Sequence, residues 1–155
     1  MPTSLYTCPA GAFLLTSDGS ALVGLSFDAK AQATAARPNG ADAVLKEAAA
    51  QLDAYFSGSL RHFSVPLAPK GSTFQKAVWQ ALLAIPYGET RSYKDIAQTV
   101  GSPKGFRAVG MANNKNPLAI FIPCHRVVGA NGALTGYAGG LDMKKYLLDL
   151  EENNK

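Results

Sequence analysis

The sequence predicts an α+β protein: a small N-terminal unit of strands and one helix, then a C-terminal unit of short helices that includes a helix-turn-helix. Three observations predict it. A hairpin signal, Ser17-Asp18-Gly19-Ser20, lies between the apolar runs Phe13-Leu14-Leu15 and Leu22-Val23-Gly24-Leu25. Helical spacing of apolar residues begins at Asp42 and recurs in four segments after Ser72. Between these patterns, Ala68-Pro69-Lys70-Gly71 reads as a connector, so the expected domains are residues 1–68 and 69–155.

In order along the chain, residues 28–41 read as loop. From Asp42, the positions Val44, Leu45, Ala48, Ala49, Leu52, Tyr55 and Phe56 share one helix face, and Ser57-Gly58 ends that helix. His62-Phe63-Ser64-Val65 reads as a returning strand broken by Pro66. Ser72 with Gln75 is a capping-box pattern ahead of the stripe Phe74, Ala77, Val78, Ala81, Leu82 and Ile85, which Pro86-Tyr87-Gly88 stops. Ser92 with Asp95 opens a second helix through Ile96, Ala97 and Val100, closed by Gly101. Ser102-Pro103 then supplies an N-cap and first-turn proline for a third helix through Phe106, Val109 and Gly110. These two short helices across a glycine-containing turn have the helix-turn-helix layout. The last helix is expected from near Gly140 to about Leu150.

Composition and charge narrow the function classes. A chain of 155 residues with 47% hydrophobic and 17% charged residues suits a folded soluble protein rather than a disordered one. Met1-Pro2-Thr3-Ser4 lacks the basic start and apolar core of a signal peptide. No stretch approaches the ~20 apolar residues that span a bilayer. The expected location is the cytoplasm, with no membrane partner. Residues 1–70 carry five Lys/Arg and five Asp/Glu, whereas residues 71–155 carry ten and six. The excess concentrates in Arg91, Lys94, Lys104, Arg107, Lys115 and Arg126, with Asp95 alone opposing them. Such a field attracts a polyanion, DNA above all, although charge alone is also the pattern of an ordinary solvated basic surface.

The cysteines, Cys8 and Cys124, have no CxxC or paired-histidine spacing, and Cys8 with His62 cannot complete a four-ligand site, so no metal is expected. A Cys8–Cys124 disulfide stays open on sequence, though a reducing compartment disfavours it. Cys124 stands in Ile122-Pro123-Cys124-His125-Arg126-Val127-Val128, with an imidazole and a guanidinium beside the thiol and apolar flanks. A free thiol titrates near ~8.5, so nucleophilic use needs a base or positive charge, which His125 and Arg126 are placed to supply. An isolated buried cysteine is more often a small hydrophobe. Direct Cys-His adjacency weakens that alternative.

On these residues the chain resembles the O6-alkylguanine-DNA alkyltransferases, or methylated-DNA-protein-cysteine methyltransferases. The resemblance spans about residues 71–151, through Gly71-Ser72-Thr73-Phe74-Gln75, Val78-Trp79, Ile85-Pro86-Tyr87-Gly88-Glu89-Thr90, Ser92-Tyr93, Arg107-Ala108-Val109-Gly110, Asn116-Pro117 and the Pro-Cys-His-Arg segment. Residues 1–68 match only in layout and length. The resemblance implies a ribonuclease-H-like N-terminal domain followed by a winged-helix, helix-turn-helix DNA-binding domain. It implies DNA repair by irreversible transfer of a methyl or other alkyl group from O6 of guanine, and from O4 of thymine, to Cys124, one turnover per molecule and without a cofactor. The implied partner is double-stranded DNA carrying O6-alkylguanine, approached through the minor groove by a monomer.

The resemblance further makes Cys124 the nucleophile and His125 the base reaching it through a water. Glu151 would orient the histidine, and Asn116 would brace the active-site turn. Tyr93 and Arg107 would turn the damaged nucleotide out of the duplex, with Ser92 and Ala108 beside them at the DNA. Tyr93 would also be the nearest proton donor to the leaving base. Val127, Tyr137, Ala138 and Gly139 would line the guanine pocket. Ala138 departs from relatives with serine or arginine after the loop tyrosine, which removes a side-chain contact and leaves the preferred alkyl size open. Three other readings compete: a non-catalytic lesion-binding protein, a promoter-binding regulator, and a Cys-His hydrolase that turns over repeatedly.

Overall fold

Strand pairing begins three residues into the chain, in a computed structural model that describes residues 1–27 and 42–155. The reading of residues 28–41 as loop lies outside the described residues. The chain divides into two units, Met1–Lys70 and Gly71–Lys155.

In the first unit, β1 (Thr3–Cys8), β2 (Gly11–Ser17) and β3 (Leu22–Ser26) form an antiparallel sheet in that order. The hairpin between β2 and β3 is where the sequence places it, with the Asp18 carboxylate accepting from the Ser20 and Ala21 amides at 2.8 Å. Strand β1 is unannounced in the sequence, because its residues are mostly polar and only weakly alternating. Its register with β2 sets Tyr6 opposite Phe13, whose rings stack with centroids 5.3 Å apart. Helix α1 (Ala43–Phe56) starts on Asp42, whose carboxylate accepts from Leu45 N at 2.8 Å and from the Ser17 hydroxyl at 3.2 Å. It buries Val44, Leu45, Ala48, Leu52 and Tyr55.

The strand read over His62–Val65 does not form. The Gln51 side-chain oxygen takes the amides of Ser64 and Val65 at 3.0 and 3.2 Å, and Pro66 has no amide to offer. The chain meets the sheet one step later, through a single parallel bridge of Leu67 to Leu22.

The second unit opens with α2 (Thr73–Leu83). Ser72 Oγ accepts from Gln75 N at 3.1 Å and Gln75 Oε1 accepts from Ser72 N at 2.9 Å, the reciprocal cap the sequence predicts. Val78, Trp79 and Leu82 are buried, and Trp79 Nε1 donates to Ala112 O at 2.9 Å. A second capping box, between Ser92 and Asp95, starts α3 (Tyr93–Thr99). Its partner in the helix-turn-helix is α4 (Phe106–Asn114).

The turn between them corrects the expected start of the third helix. Gly101 has φ +76° and Ser102 N donates back to Ala97 O at 2.9 Å, so Ser102 completes the end of α3 instead of capping α4. Pro103 and Lys104 are the middle of a turn closed by Gly105 N to Ser102 O at 2.8 Å. Gly105 then precedes α4 without a side-chain cap. A Cβ on Gly105 would collide with the Ser102 hydroxyl and come within 3.1 Å of the Ser102 carbonyl oxygen, so a larger residue there requires Ser102 to shift.

Strands β4 (Arg91–Ser92) and β5 (Val127–Val128) pair in parallel, Arg91 with Val127 and Ser92 with Val128. The last helix, α5 (Leu141–Asn154), runs a turn beyond the expected end and buries Met143, Lys144, Leu147 and Glu151 on one face. Among the described residues no helix is long and apolar enough to cross a membrane.

Candidate active site

Cys124 opens a single 3-10 turn, Cys124–Arg126, between the apolar run Leu118–Ile122 and β5. The approach to the turn is strained: Ile120, β-branched and 1% exposed, has φ +76°. Asn116 holds that segment from both sides, donating from Nδ2 to Ile122 O and accepting from Leu118 N, each at 2.9 Å. Its side chain also hydrogen-bonds the Cys124 thiol. Asn113, on the last turn of α4, donates to Cys124 O at 3.5 Å.

His125 is fully buried, with Nε2 at 2.7 Å from Glu151 Oε2. A carboxylate can only accept, so Nε2 carries the hydrogen and the lone pair is on Nδ1, which has no protein partner. Glu151 does more than hold the histidine. Arg126 Nε donates to Oε1 at 2.8 Å and Nη2 to Oε2 at 3.0 Å, while Gly88 N donates to Oε1 at 3.3 Å. Arg126 Nη1 donates to Ile85 O at 2.7 Å, and its guanidinium stands 5.7 Å from the centre of the Tyr87 ring. The guanidinium is therefore engaged by Glu151. That corrects the expectation that Arg126 assists the thiol directly.

The charge that acts on the thiol is Lys144, which the sequence reading passed over. It is buried, and its Nζ donates to Val127 O at 2.7 Å and Thr135 O at 2.8 Å. In sequence it looks like half of a solvated Lys144-Lys145 pair. The usable signal is its place among Met143, Leu147 and Glu151, on the face of α5 that turns inward.

Burial pushes the Cys124 thiol up to about 11, against smaller opposing pulls from the Asn116 hydrogen bond and the Lys144 charge. Burial likewise lowers His125, with Glu151 only partly offsetting it. Burial would raise Glu151, but the hydrogen bonds and charges of His125 and Arg126 outweigh it and hold the carboxyl well below the usual range. At neutral pH the resting site thus pairs a neutral thiol with a neutral imidazole and an ionised Glu151. Cys124 alkylation by iodoacetamide should therefore rise about tenfold per pH unit toward pH 11 instead of levelling near the ordinary thiol value of 9.0. The folded thiol value lies above the unfolded one, so its stabilising contribution is complete below pH 9 and lost as pH rises through about 11.

The remaining residues surround this turn. Tyr93 is half-buried at the start of α3, and its hydroxyl is 2.6 Å from Thr135 Oγ1 in the loop before α5. Ser92 is engaged as the cap of α3. Arg107 and Ala108 are exposed on α4, and among the described residues the Arg107 side chain makes no hydrogen bond or ion pair. In the loop, Val127 is buried, Tyr137 and Gly139 are half-buried and Ala138 is exposed. Burial raises the Tyr137 hydroxyl well above its ordinary range. Cys8 and Cys124 are both free thiols. Among the described residues no three His, Cys, Asp or Glu side chains cluster to hold a metal ion.

Comparison with known proteins places both units. Residues 1–69 match the model of the 6-O-methylguanine DNA methyltransferase ribonuclease-like domain, and residues 73–153 match that of the same family's DNA binding domain. A methylated-DNA–protein-cysteine methyltransferase of Methanosarcina acetivorans is 51% identical over 151 residues, 96% of each chain. One of Mycobacterium leprae is 49% identical over 146 residues, 94% of this chain and 88% of the relative. The crystal structure of Mycobacterium tuberculosis OGT in complex with DNA superposes with a TM-score of 0.89 at 46% identity, covering 98% of this chain and 93% of that one. By its sequence over nearly its full length and by its fold, the chain belongs to the 6-O-methylguanine DNA methyltransferase family.

Proposed function

We propose that this protein repairs DNA by moving a methyl or other alkyl group from O6 of guanine, and from O4 of thymine, onto Cys124 Sγ, once per molecule. The observation that carries the reading is the buried thiol of Cys124 beside a histidine whose bare Nδ1 is fixed by Glu151. A proton passes from the thiol through a water to Nδ1 as Sγ attacks the alkyl carbon. The S–C bond forms, the C–O bond breaks, and its electron pair leaves on the purine, which takes up a proton with Tyr93 OH as donor; the proton held by His125 then returns to the tyrosine through solvent. The net exchange is thiol plus alkylguanine to thioether plus guanine. It needs no cofactor, and the thioether has no leaving route, so excess substrate should be consumed to one equivalent and no further. Continued turnover would favour a hydrolase.

Double-stranded DNA is the partner, met in the minor groove by a cytoplasmic monomer. Support comes from the basic helix-turn-helix unit and from a relative whose structure is described in complex with DNA. A base inside the stack is out of reach of a side-chain sulfur, so it must leave the helix at a cost of a few kcal/mol. Arg107, exposed on α4 without another partner among the described residues, fills the gap, and Tyr93 turns the phosphate, with Ser92 and Ala108 at the backbone beside them. Val127, Tyr137, Ala138 and Gly139 line the pocket.

Arg107→Ala separates extrusion from chemistry. Free O6-benzylguanine has no stack to open, so the variant should match wild type. On duplex O6-methylguanine, a loss of ~1.4 kcal/mol in the flipped state slows transfer about tenfold even at saturating DNA. Recovery of the full rate at saturation would make Arg107 a phosphate contact only.

A further inference from the structure

Two buried polar atoms around Cys124 have no protein partner: Asn113 Oδ1 and His125 Nδ1. Asn113 is 3% exposed on the last turn of α4, and His125 is completely buried next to the nucleophile in the chain. The orientation of the Asn113 amide is determined by its neighbour. The Cys124 carbonyl can only accept, so Nδ2 faces it at 3.5 Å and Oδ1 is directed to the other side as an unsatisfied acceptor. Nδ1 is a second unsatisfied acceptor, because Nε2 carries the hydrogen toward Glu151. Leaving an acceptor bare in an interior is costly, and a water has two hydrogens to give.

We propose that Asn113 is a positioning residue for the proton relay: its Oδ1 anchors the water that carries the Cys124 proton to His125. The water donates one hydrogen to Asn113 Oδ1 and the other to His125 Nδ1, which leaves its lone pair as the sole group able to receive the thiol proton. As Sγ–H gives its proton to the water, the water gives its own to Nδ1. The products are thiolate, water and imidazolium, with the Asn113 bond unbroken. Without Oδ1 the water is free to turn a hydrogen toward sulfur and block the transfer. Asn113 also joins the nucleophile to the helix that carries Arg107, so seating α4 on a duplex and orienting the relay act through one rigid element.

The inference rests on the alkyl-transfer reading of Cys124, and one experiment separates the two. Single-turnover rates with free O6-benzylguanine are measured for wild type, Asn113→Leu, His125→Phe and the double variant, with thermal melts to confirm folding. Asn113→Leu should slow the reaction about tenfold at pH 7, and the deficit should shrink above pH 9 as direct ionisation of the thiol replaces the relay. In the His125→Phe background the same substitution should have no further effect, since the relay is already gone. Should the leucine variant or His125→Phe fail to fold, Asn113→Ala and His125→Gln complete the same cycle. Equal losses in both backgrounds, or a deficit constant with pH, would make Asn113 merely structural and overturn the proposal. A wild-type protein that gains no benzyl group on Cys124 would overturn the alkyl-transfer reading itself.

Discussion

Cys124→Ser should abolish alkyl transfer to both duplex O6-methylguanine and free O6-benzylguanine while leaving duplex binding within about a factor of two, a spread of ~0.4 kcal/mol. The reason lies in the local chemistry. The thiol is already pushed up to about 11 by burial, so the site depends on sulfur's intrinsic nucleophilicity and on proton removal at the moment of attack. A hydroxyl is harder to deprotonate and a weaker nucleophile at carbon, and the relay that suffices for the thiol cannot ionise it at neutral pH. Binding should survive because the exposed basic residues of the helix-turn-helix are untouched. Gel-shift titration beside a radiolabelled methyl-transfer assay checks both halves, and residual transfer well above background would remove Cys124 from the chemistry.

Glu151→Gln should be the most damaging change away from the nucleophile, because one carboxylate serves four N–H donors. Arg126 Nε and Nη2 take opposite oxygens of Glu151, so a glutamine must turn its NH2 toward one of them and leave part of a buried guanidinium unpaired. Breaking a buried pair from one side costs about 3–5 kcal/mol, which lowers Tm by roughly 10 °C in a chain of this size. The chemistry suffers separately. If the NH2 faces His125 it donates to Nε2, moves the ring hydrogen to Nδ1 and removes the base. Transfer to free O6-benzylguanine should fall about a hundredfold or more.

The pH dependence gives a second readout. The folded Glu151 value is depressed, so its stabilising contribution is present above the unfolded value of 4.5 and lost as pH falls below it. His125 acts in the same direction from 6.5 downward, since burial keeps it neutral in the fold. Wild type should therefore lose stability on acidification from about pH 6.5, and Glu151→Gln should flatten the part below 4.5. An unchanged acid limb in that variant would mean that the network contributes nothing to stability.

Much of this arrangement was legible in the sequence where a local rule decides it. The helix starts at Ser72 with Gln75 and at Ser92 with Asp95 are patterns of four adjacent residues, and each forms as read. Ser102-Pro103 obeys an equally good local rule and fails, because the Gly101 turn claims Ser102 for the end of α3 before a new helix can begin. Strand β1 is a near neighbour of its partner but is mostly polar and only weakly alternating, whereas the pair β4–β5 joins residues far apart in sequence, which periodicity does not report. The site divides in the same way. Cys124, His125 and Asn116 stand in a short, distinctive run, whereas Lys144 and Asn113 are ordinary polar residues of helices until packing turns them toward the backbone of the Cys124–Val127 segment. Arg126 was legible as a neighbour of Cys124, but its actual partner, Glu151, is 25 residues away.

The most direct measurement of the central claim is intact-mass and peptide mass spectrometry after incubation with excess duplex O6-methylguanine. Alkyl transfer predicts that each protein molecule gains a single methyl group, located on the peptide containing Cys124, with one equivalent of repaired guanine appearing in the DNA. An unmodified Cys124 peptide alongside repaired or bound DNA would contradict it, whether the protein then proved to be a lesion binder or a catalyst that turns over.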